Sequence, residues 1–344
     1  MMSNIMKIIK KIPNAIYLFI IILLLIIDVI GFGAEKIIEK IKFSQIAEAY
    51  DTLKAICPSI ESISKQYIVF FIILTVLVCA ALIIKLGYKE KLYVLAHFSF
   101  NEENCGLAKE ERKKYRVIVY SLNQTLSFEE DFPKPDAVEQ IKKKIKELRN
   151  TAKKHSIGYY GVAHVPFVFL AGFTFGDQSK VHVFHRKRHN DEEFEELSVA
   201  PNYDLGLVVD EKNKTIKSSE LIVAVSTSLQ ITKDEIIRSL GNDKHLLMIR
   251  TNNIGYDQLL EYDTIERISN EVWSHIRSCS KEYSIRRVHM LIASSVAFSF
   301  FMGRKCSANI DPHIIVYHYQ NGIYPWGISI NGDVEEDLII RNEI

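Results

Sequence analysis

The chain has 344 residues, enough for two or three domains, and its 43 Lys and Arg balance 42 Asp and Glu to a formal net charge of +1. That balance argues against a general nucleic-acid binder such as a DNA-binding protein, which carries a basic excess. The five cysteines (Cys57, Cys79, Cys105, Cys279, Cys306) are far apart with no CxxC pair, which argues against a disulfide framework or zinc site and suggests a reducing compartment for the larger part of the chain.

The N-terminal region, residues 1–91, reads as two transmembrane helices. Residues 15–34 are apolar apart from Asp28, and residues 67–84 carry no charge. At about 1.5 Å per residue each run nears the ~30 Å of a bilayer core, so helices are expected at about 15–34 and 67–86. Pro13 sits just before the first, where a missing N–H costs little. Lys7, Lys10 and Lys11 precede the first helix and Lys85, Lys89 and Lys91 follow the second. The positive-inside rule therefore puts both ends in the cytosol and the loop 35–66 outside. A cleaved signal peptide is the competing reading of the first segment, given its basic start and the small Gly31 and Gly33. In the loop, Ile37, Ile38, Ile41, Ala47, Tyr50 and Leu53 recur at approximately helical spacing, which predicts an amphipathic helix. Asp28 has two readings: its carboxylate reaches the outer interface, or it pairs between protomers or lines a pore.

Residues 92–344 change to alternating strands and helices, an α/β pattern. Strands are expected at 92–98 and 116–120, then an amphipathic helix at 137–155 with Val138, Ile141, Ile145 and Leu148 inward. An apolar segment at 156–176 ends on a glycine, and a strand follows at 181–185. The order returns with strands at 221–226 and 245–251, a helix at 262–283 with Ile265, Ile268, Val272 and Ile276 on one side, an apolar segment at 288–303 ending on a glycine, and a strand at 314–318. AHVPFVFLAGFTFG (163–176) aligns over MLIASSVAFSFFMG (290–303), and VHVFH (181–185) over IIVYH (314–318). This predicts a duplicated unit, halves about 92–200 and 201–344, each an open, mainly parallel Rossmann-like sheet with helices packed on it. Ligands of such sheets bind at the carboxyl ends of the strands. Two units in pseudo-two-fold arrangement would set two such edges face to face, a cleft suited to repeated phosphate units.

Three segments carry a family resemblance. VHMLIASSVAFSFFMGRKCSANIDPHIIVYHYQNGIYPWGISI (288–330) resembles the C-terminal hallmark of SAVED domains, GVAHVPFVFLAGFTFGDQSKVHVFHR (161–186) the matching motif of a first half, and ELIVAVSTSLQITKDEIIRSL (220–240) the strand-and-turn opening of a second. The resemblance covers roughly residues 92–330. It implies two fused CARF-like halves that bind a cyclic oligonucleotide made by a partner nucleotidyltransferase, within the antiphage signalling systems called CBASS. Carried over by position, it implies ligand contacts from Ser99, Ala163, His164 and Pro166 in the first half. In the second half it implies Ser226, Thr227, Ser228, Ala293, Ser294 and Ser295. Hydroxyls and exposed N–H groups suit phosphate or ribose, and small residues permit close approach. In this alignment His164 and Pro166 stand where the second half has Leu291 and Ala293, so unequal contacts are expected.

Other residues are tempting. His182, His185 and His189 invite a metal, but residues three apart on a strand face opposite sides, so ordinary histidines are expected. Arg186 to Arg188, followed by acidic residues at 191–196, reads as a solvated hairpin or loop, or as help in steering an anion. Trp326 and Tyr324 read as packing residues before base-stacking ones. No GxSxG, P-loop or HExxH is present, and a receptor is expected, not an enzyme, with no cofactor and no metal. The leading expectation is a multi-pass protein of the bacterial inner membrane whose lipid-embedded helices are the effector. Ligand binding would drive homo-oligomeric clustering and membrane disruption. The alternatives are a membrane-tethered Rossmann-like enzyme acting on a nucleotide, and a ligand-free membrane scaffold.

Overall fold

Strand follows helix in two matching runs. A computed structural model describes residues 89–100, 105–126, 132–177, 180–186, 193–199, 205–212, 216–332 and 339–341. The expected membrane segments 15–34 and 67–86, the loop 35–66 and His189 lie outside the described residues. Among the described residues no helix is long and apolar enough to cross a membrane. Glu90–Ile344 forms one compact unit.

The first run is β1 (Glu90–Phe98), β2 (Gly106–Leu107), α1 (Lys109–Lys114), β3 (Tyr115–Asn123), α2 (Ala137–Ala152), β4 (Ser156–Val162), α3 (Val165–Phe175), β5 (Val181–His185) and β6 (Glu193–Glu196). The second is β7 (Leu207–Lys212), β8 (Glu220–Ser226), α4 (Lys233–Leu240), β9 (His245–Thr251), α5 (Tyr262–Glu282), β10 (Arg287–Ala293), α6 (Val296–Lys305), β11 (His313–Gln320), β12 (Ile323–Ser329) and β13 (Ile339–Arg341). Each run builds a sheet around four parallel strands in the same order, β3-β1-β4-β5 and β9-β8-β10-β11. The flanks differ. Antiparallel β6 lies beside β5, β12 beside β11, and β7 pairs antiparallel with β9.

Each of the two apolar segments is a buried strand followed by a buried helix. Val138, Ile141, Ile145 and Leu148 of α2 are buried to within 2% exposure, and Ile265, Ile268, Val272 and Ile276 of α5 completely. Burial of each such side chain is worth about 1.5–3 kcal/mol, so the amphipathic stripe fixes how each helix lies on its sheet. One core runs from the inner face of the first sheet through α2, α3, α5 and α6 to the inner face of the second. Smaller clusters cover the two outer faces.

The halves join where α3 meets α6. A Cβ on Gly172 would lie 2.0 Å from the Phe300 carbonyl oxygen, and one on Gly303 would lie 2.0 Å from that of Phe169. Gly172 therefore corresponds to Gly303, and Phe169 to Phe300. The expected match of Gly176 to Gly303 is therefore off by four residues, about one helical turn. Gly176 is instead the residue that ends α3, at φ 60°. His164 and Pro166 thus correspond to Ser295 and Ala297. The expected match of Val181 to Ile314 holds: Val181 pairs with Ile157 as Ile314 pairs with Val288. Across the same seam Tyr159 stacks on Phe300 with ring centroids 4.3 Å apart.

Arginines close the helix ends. Arg149 donates to the Phe175 carbonyl and Arg304 to that of Gly176, while Arg277 donates to that of Lys305 at 3.0 Å. These guanidiniums satisfy carbonyls that have no partner within the helix, at its negative end.

Candidate functional site

The parallel strands of each half end at one edge, where the backbone is tied tightly. The N–H groups of Thr227 and Ser228 both donate to the Ala293 carbonyl at 3.0 Å, joining the end of β8 to that of β10. The Thr227 and Ser294 hydroxyls lie 2.6 Å apart, and Ser226 Oγ accepts from the Ile231 N–H at 3.0 Å. Ser295 caps α6, its Oγ accepting from the Phe298 N–H at 3.2 Å. In the first half the Ser99 N–H donates to Val162 at 2.9 Å, and Ser99 Oγ accepts from the His164 N–H at 3.2 Å.

A cavity of about 740 Å³ opens on the second edge, between the halves. That volume lies within the ~300–1,000 Å³ usual for small-ligand sites. Ser228, Ala293, Ser294 and Ser295 line it. Ser226 and Thr227 are buried and do not line it, and Ser99, Ala163, His164 and Pro166 are buried in the first half. The structure thus gathers four of the ten candidate residues at one surface.

The opposite wall comes from the first half: Gly161 and Val162 at the end of β4, Phe184 and His185 on β5, Arg186, and Phe194 on β6. His185 Nε2 lies 3.3 Å from Asp257 Oδ1, a hydrogen bond from one half to the other beside the cavity. His182 bonds a different carboxylate, Glu196, at 2.5 Å, in keeping with two histidines on opposite strand faces. Glu193–Glu196 forms β6, antiparallel to β5, so these two strands make the hairpin arm of the expected hairpin or loop.

The equivalent crevice of the first half is filled. There His164 meets His318 with ring centroids 4.3 Å apart, His318 stacks on Trp326 at 4.8 Å, and Trp326 packs on Phe167 at 5.5 Å. Trp326 is fully buried and opposes His318 on β12 as Glu195 opposes His185 on β6. At matching places, then, Trp326 and His164 stand in the filled crevice, where the other half has Glu195 on β6 and Ser295 at the start of α6. Burial, with His164 adding to it, pushes the His318 imidazole down to about 3. Burial likewise holds His97 at about 4, its Nε2–H donating to Gln124 at 2.8 Å.

The floor of the open cavity is held by α4. Its capping box joins Thr232 and Glu235, and Glu235 Oε1 accepts from the Tyr319 hydroxyl at 3.0 Å. Against the upward push of partial burial, the Thr232 and Tyr319 hydrogen bonds hold the Glu235 carboxyl below its usual value. Leu229, Tyr256, Tyr319 and Tyr324 also line the cavity. Sequence reasoning did not single out the first three. Their signal was position: large side chains just beyond predicted strand ends. Tyr324 lines the cavity while only 2% exposed, so packing and lining coincide there. Among the described residues, no group of three or more His, Cys, Asp or Glu is arranged to hold a metal ion.

Two α/β sheets of the same strand order, joined helix to helix around a crevice at their carboxyl edges, define a duplicated α/β fold. The family model described as "SMODS-associated and fused to various effectors sensor domain", SAVED, matches residues 139–330, more than half the chain, and the chain belongs to that family. No curated protein matches. Among solved structures the chain is similar to an Acinetobacter baumannii Cap4 SAVED/CARF-domain containing receptor with the cyclic trinucleotide 2'3'3'-cAAA, at 16% identity and a TM-score of 0.49, over 79% of this chain and 62% of that one. The same receptor with 3'3'3'-cAAA matches at 15% and 0.47, over 76% and 60%. A Moraxella osloensis Cap4 receptor matches at 15% and 0.41, over 72% and 51%. The chain spans less than two thirds of the length of each of these receptors.

Proposed function

We propose that this protein is a receptor for a cyclic oligonucleotide in antiphage defence, seating its ligand in the cavity between the halves. The observation that carries the reading is that cavity: a sensor-family chain with an open crevice at the carboxyl ends of its strands, lined by Ser228, Ser294, Ser295 and Arg186. Hydroxyls, the N–H groups at the start of α6 and a guanidinium are the groups that bind phosphate and ribose. The protein acts as receptor and not as enzyme.

The output is assigned to the N-terminal region. The expected helices 15–34 and 67–86 would anchor the chain in the inner membrane, with the 92–344 region cytosolic. Binding that favours a clustered state would gather these helices and disrupt the bilayer, because a ligand shifts an equilibrium only by its differential affinity for the two states.

The test is the full chain in liposomes loaded with a fluorescent dye, titrated with cyclic di-, tri- and tetra-adenylate and their guanylate counterparts. One of these should bind by calorimetry, release dye, and be recovered intact by chromatography. Saturating binding without leakage would sink the membrane output, and consumption of the ligand would make the protein an enzyme.

A further inference from the structure

Large apolar side chains that stand in solvent are few in the described part of this chain, and three of them stand together. Leu229 is 53% exposed, Tyr256 45% and Tyr319 47%, and all three line the cavity. Their placement follows from the order of strand ends along the edge. Tyr319 lies near the end of β11, and Ser294 and Ser295 follow β10, the next strand. Ser228 follows β8, the strand after that. The loop carrying Tyr256 is fastened at the end of β8, where the Gly255 N–H donates to the Thr227 carbonyl at 3.0 Å. Two strand spacings separate the two tyrosine attachments, about 10 Å, and the serine hydroxyls lie between.

Both attachments are fixed. The Tyr319 hydroxyl is held by Glu235 at 3.0 Å and its ring meets Tyr324 edge to face at 5.4 Å. Asp257, next to Tyr256, holds a left-handed φ of 58° and accepts from His185 across the cavity. A left-handed backbone at a non-glycine residue persists only where its surroundings determine it.

We propose that Tyr256 and Tyr319 are base-stacking residues, and that the cavity takes a ring with purine bases turned outward onto the two tyrosines and its backbone inward over Ser228, Ser294 and Ser295. The proposal rests on the receptor reading above and adds the ligand class. Stacking accepts any base but favours the larger π-face, so purine rings bind more tightly than pyrimidine rings.

Calorimetry on the full chain in detergent micelles, with cyclic tri-adenylate and cyclic tri-uridylate as probes, decides it. Tyr256→Ala and Tyr319→Ala should each weaken cyclic tri-adenylate by about tenfold or more, the measured scale of base–aromatic stacking. Tyr319→Phe, which keeps the ring and loses only the bond to Glu235, should stay within about twofold of wild type. Ile310→Ala, at an exposed position outside the cavity lining, should change nothing. A cyclic tri-adenylate carrying 2-aminopurine should be quenched on binding and regain emission in the alanine variants. Alanine variants that bind like wild type, or equal affinity for the two probes, would overturn the stacking proposal and leave the receptor reading standing. A wild-type chain that binds no cyclic oligonucleotide of the wider panel would overturn both.

Discussion

Gly172 of α3 and Gly303 of α6 occupy equivalent places in the two halves, and each lies against the backbone of the other's helix. The contact leaves no room for a methyl group at either position.

Gly172→Ala and Gly303→Ala are therefore expected to destabilise the protein by about 1–3 kcal/mol or more, the usual cost of overpacking, here against backbone that cannot swing aside. Gly106→Ala, where a Cβ meets nothing within 4 Å, should cost little. Urea denaturation of the three variants checks this. Equal midpoints would mean that the seam between the halves is loose.

Stability should fall as pH drops from 7 to 5. His318 and His97, held at about 3 and about 4 in the fold, return to 6.5 when unfolded. Between those values the unfolded chain binds more protons, so stability rises with pH by up to about 1.4 kcal/mol per unit for each histidine. Glu196 and Glu235, whose folded values lie below 4.5, act the other side of this window: their contribution is lost only as pH falls through and below 4.5. Denaturation midpoints at pH 5, 6 and 7 measure the slope, and His318→Gln should flatten it.

Ser295→Ala removes the hydroxyl that caps α6 and lines the cavity. A loss of about 1 kcal/mol in stability is expected from the cap alone. If Ser295 also meets ligand, affinity should fall further than for Thr232→Ala, which breaks the cap of α4. Thermal unfolding with and without cyclic tri-adenylate separates the two effects.

The His185–Asp257 pair bridges the halves at 3.3 Å. A double-mutant cycle with His185→Ala and Asp257→Ala should return a coupling of about 0.5–1 kcal/mol, as for a partly exposed polar pair. A coupling of zero would mean that the bridge does not form in solution.

Much of the scaffold was legible because its strands and helices announce themselves by period. The strands Val181–His185 and His245–Thr251 were read to the residue, and the inward faces of α2 and α5 follow their 3.6-residue stripe. The register of the repeat was not legible, because glycine has two uses here. Gly176 ends a helix with a left-handed backbone, whereas Gly303 sits inside one to admit a neighbour. Matching the letter matched the wrong task. Of the ten candidate site residues, the four at the cavity stand at or just past the ends of β8 and β10, while the first-half set lies buried, with β12 bringing Trp326 from far along the chain against His164. Nothing local in the first half records that arrival.

The filled crevice has a consequence for direction. A duplicated fold with two equal sites would look the same after half a turn, and a symmetric ring could sit astride its axis without preference. With Trp326 in one crevice and open space in the other, the seat lies to one side of the axis, and the chain acquires a front and a back. Any row of such chains, each engaging the next through the occupied side, would be polar, growing from one end as a different structure from the other.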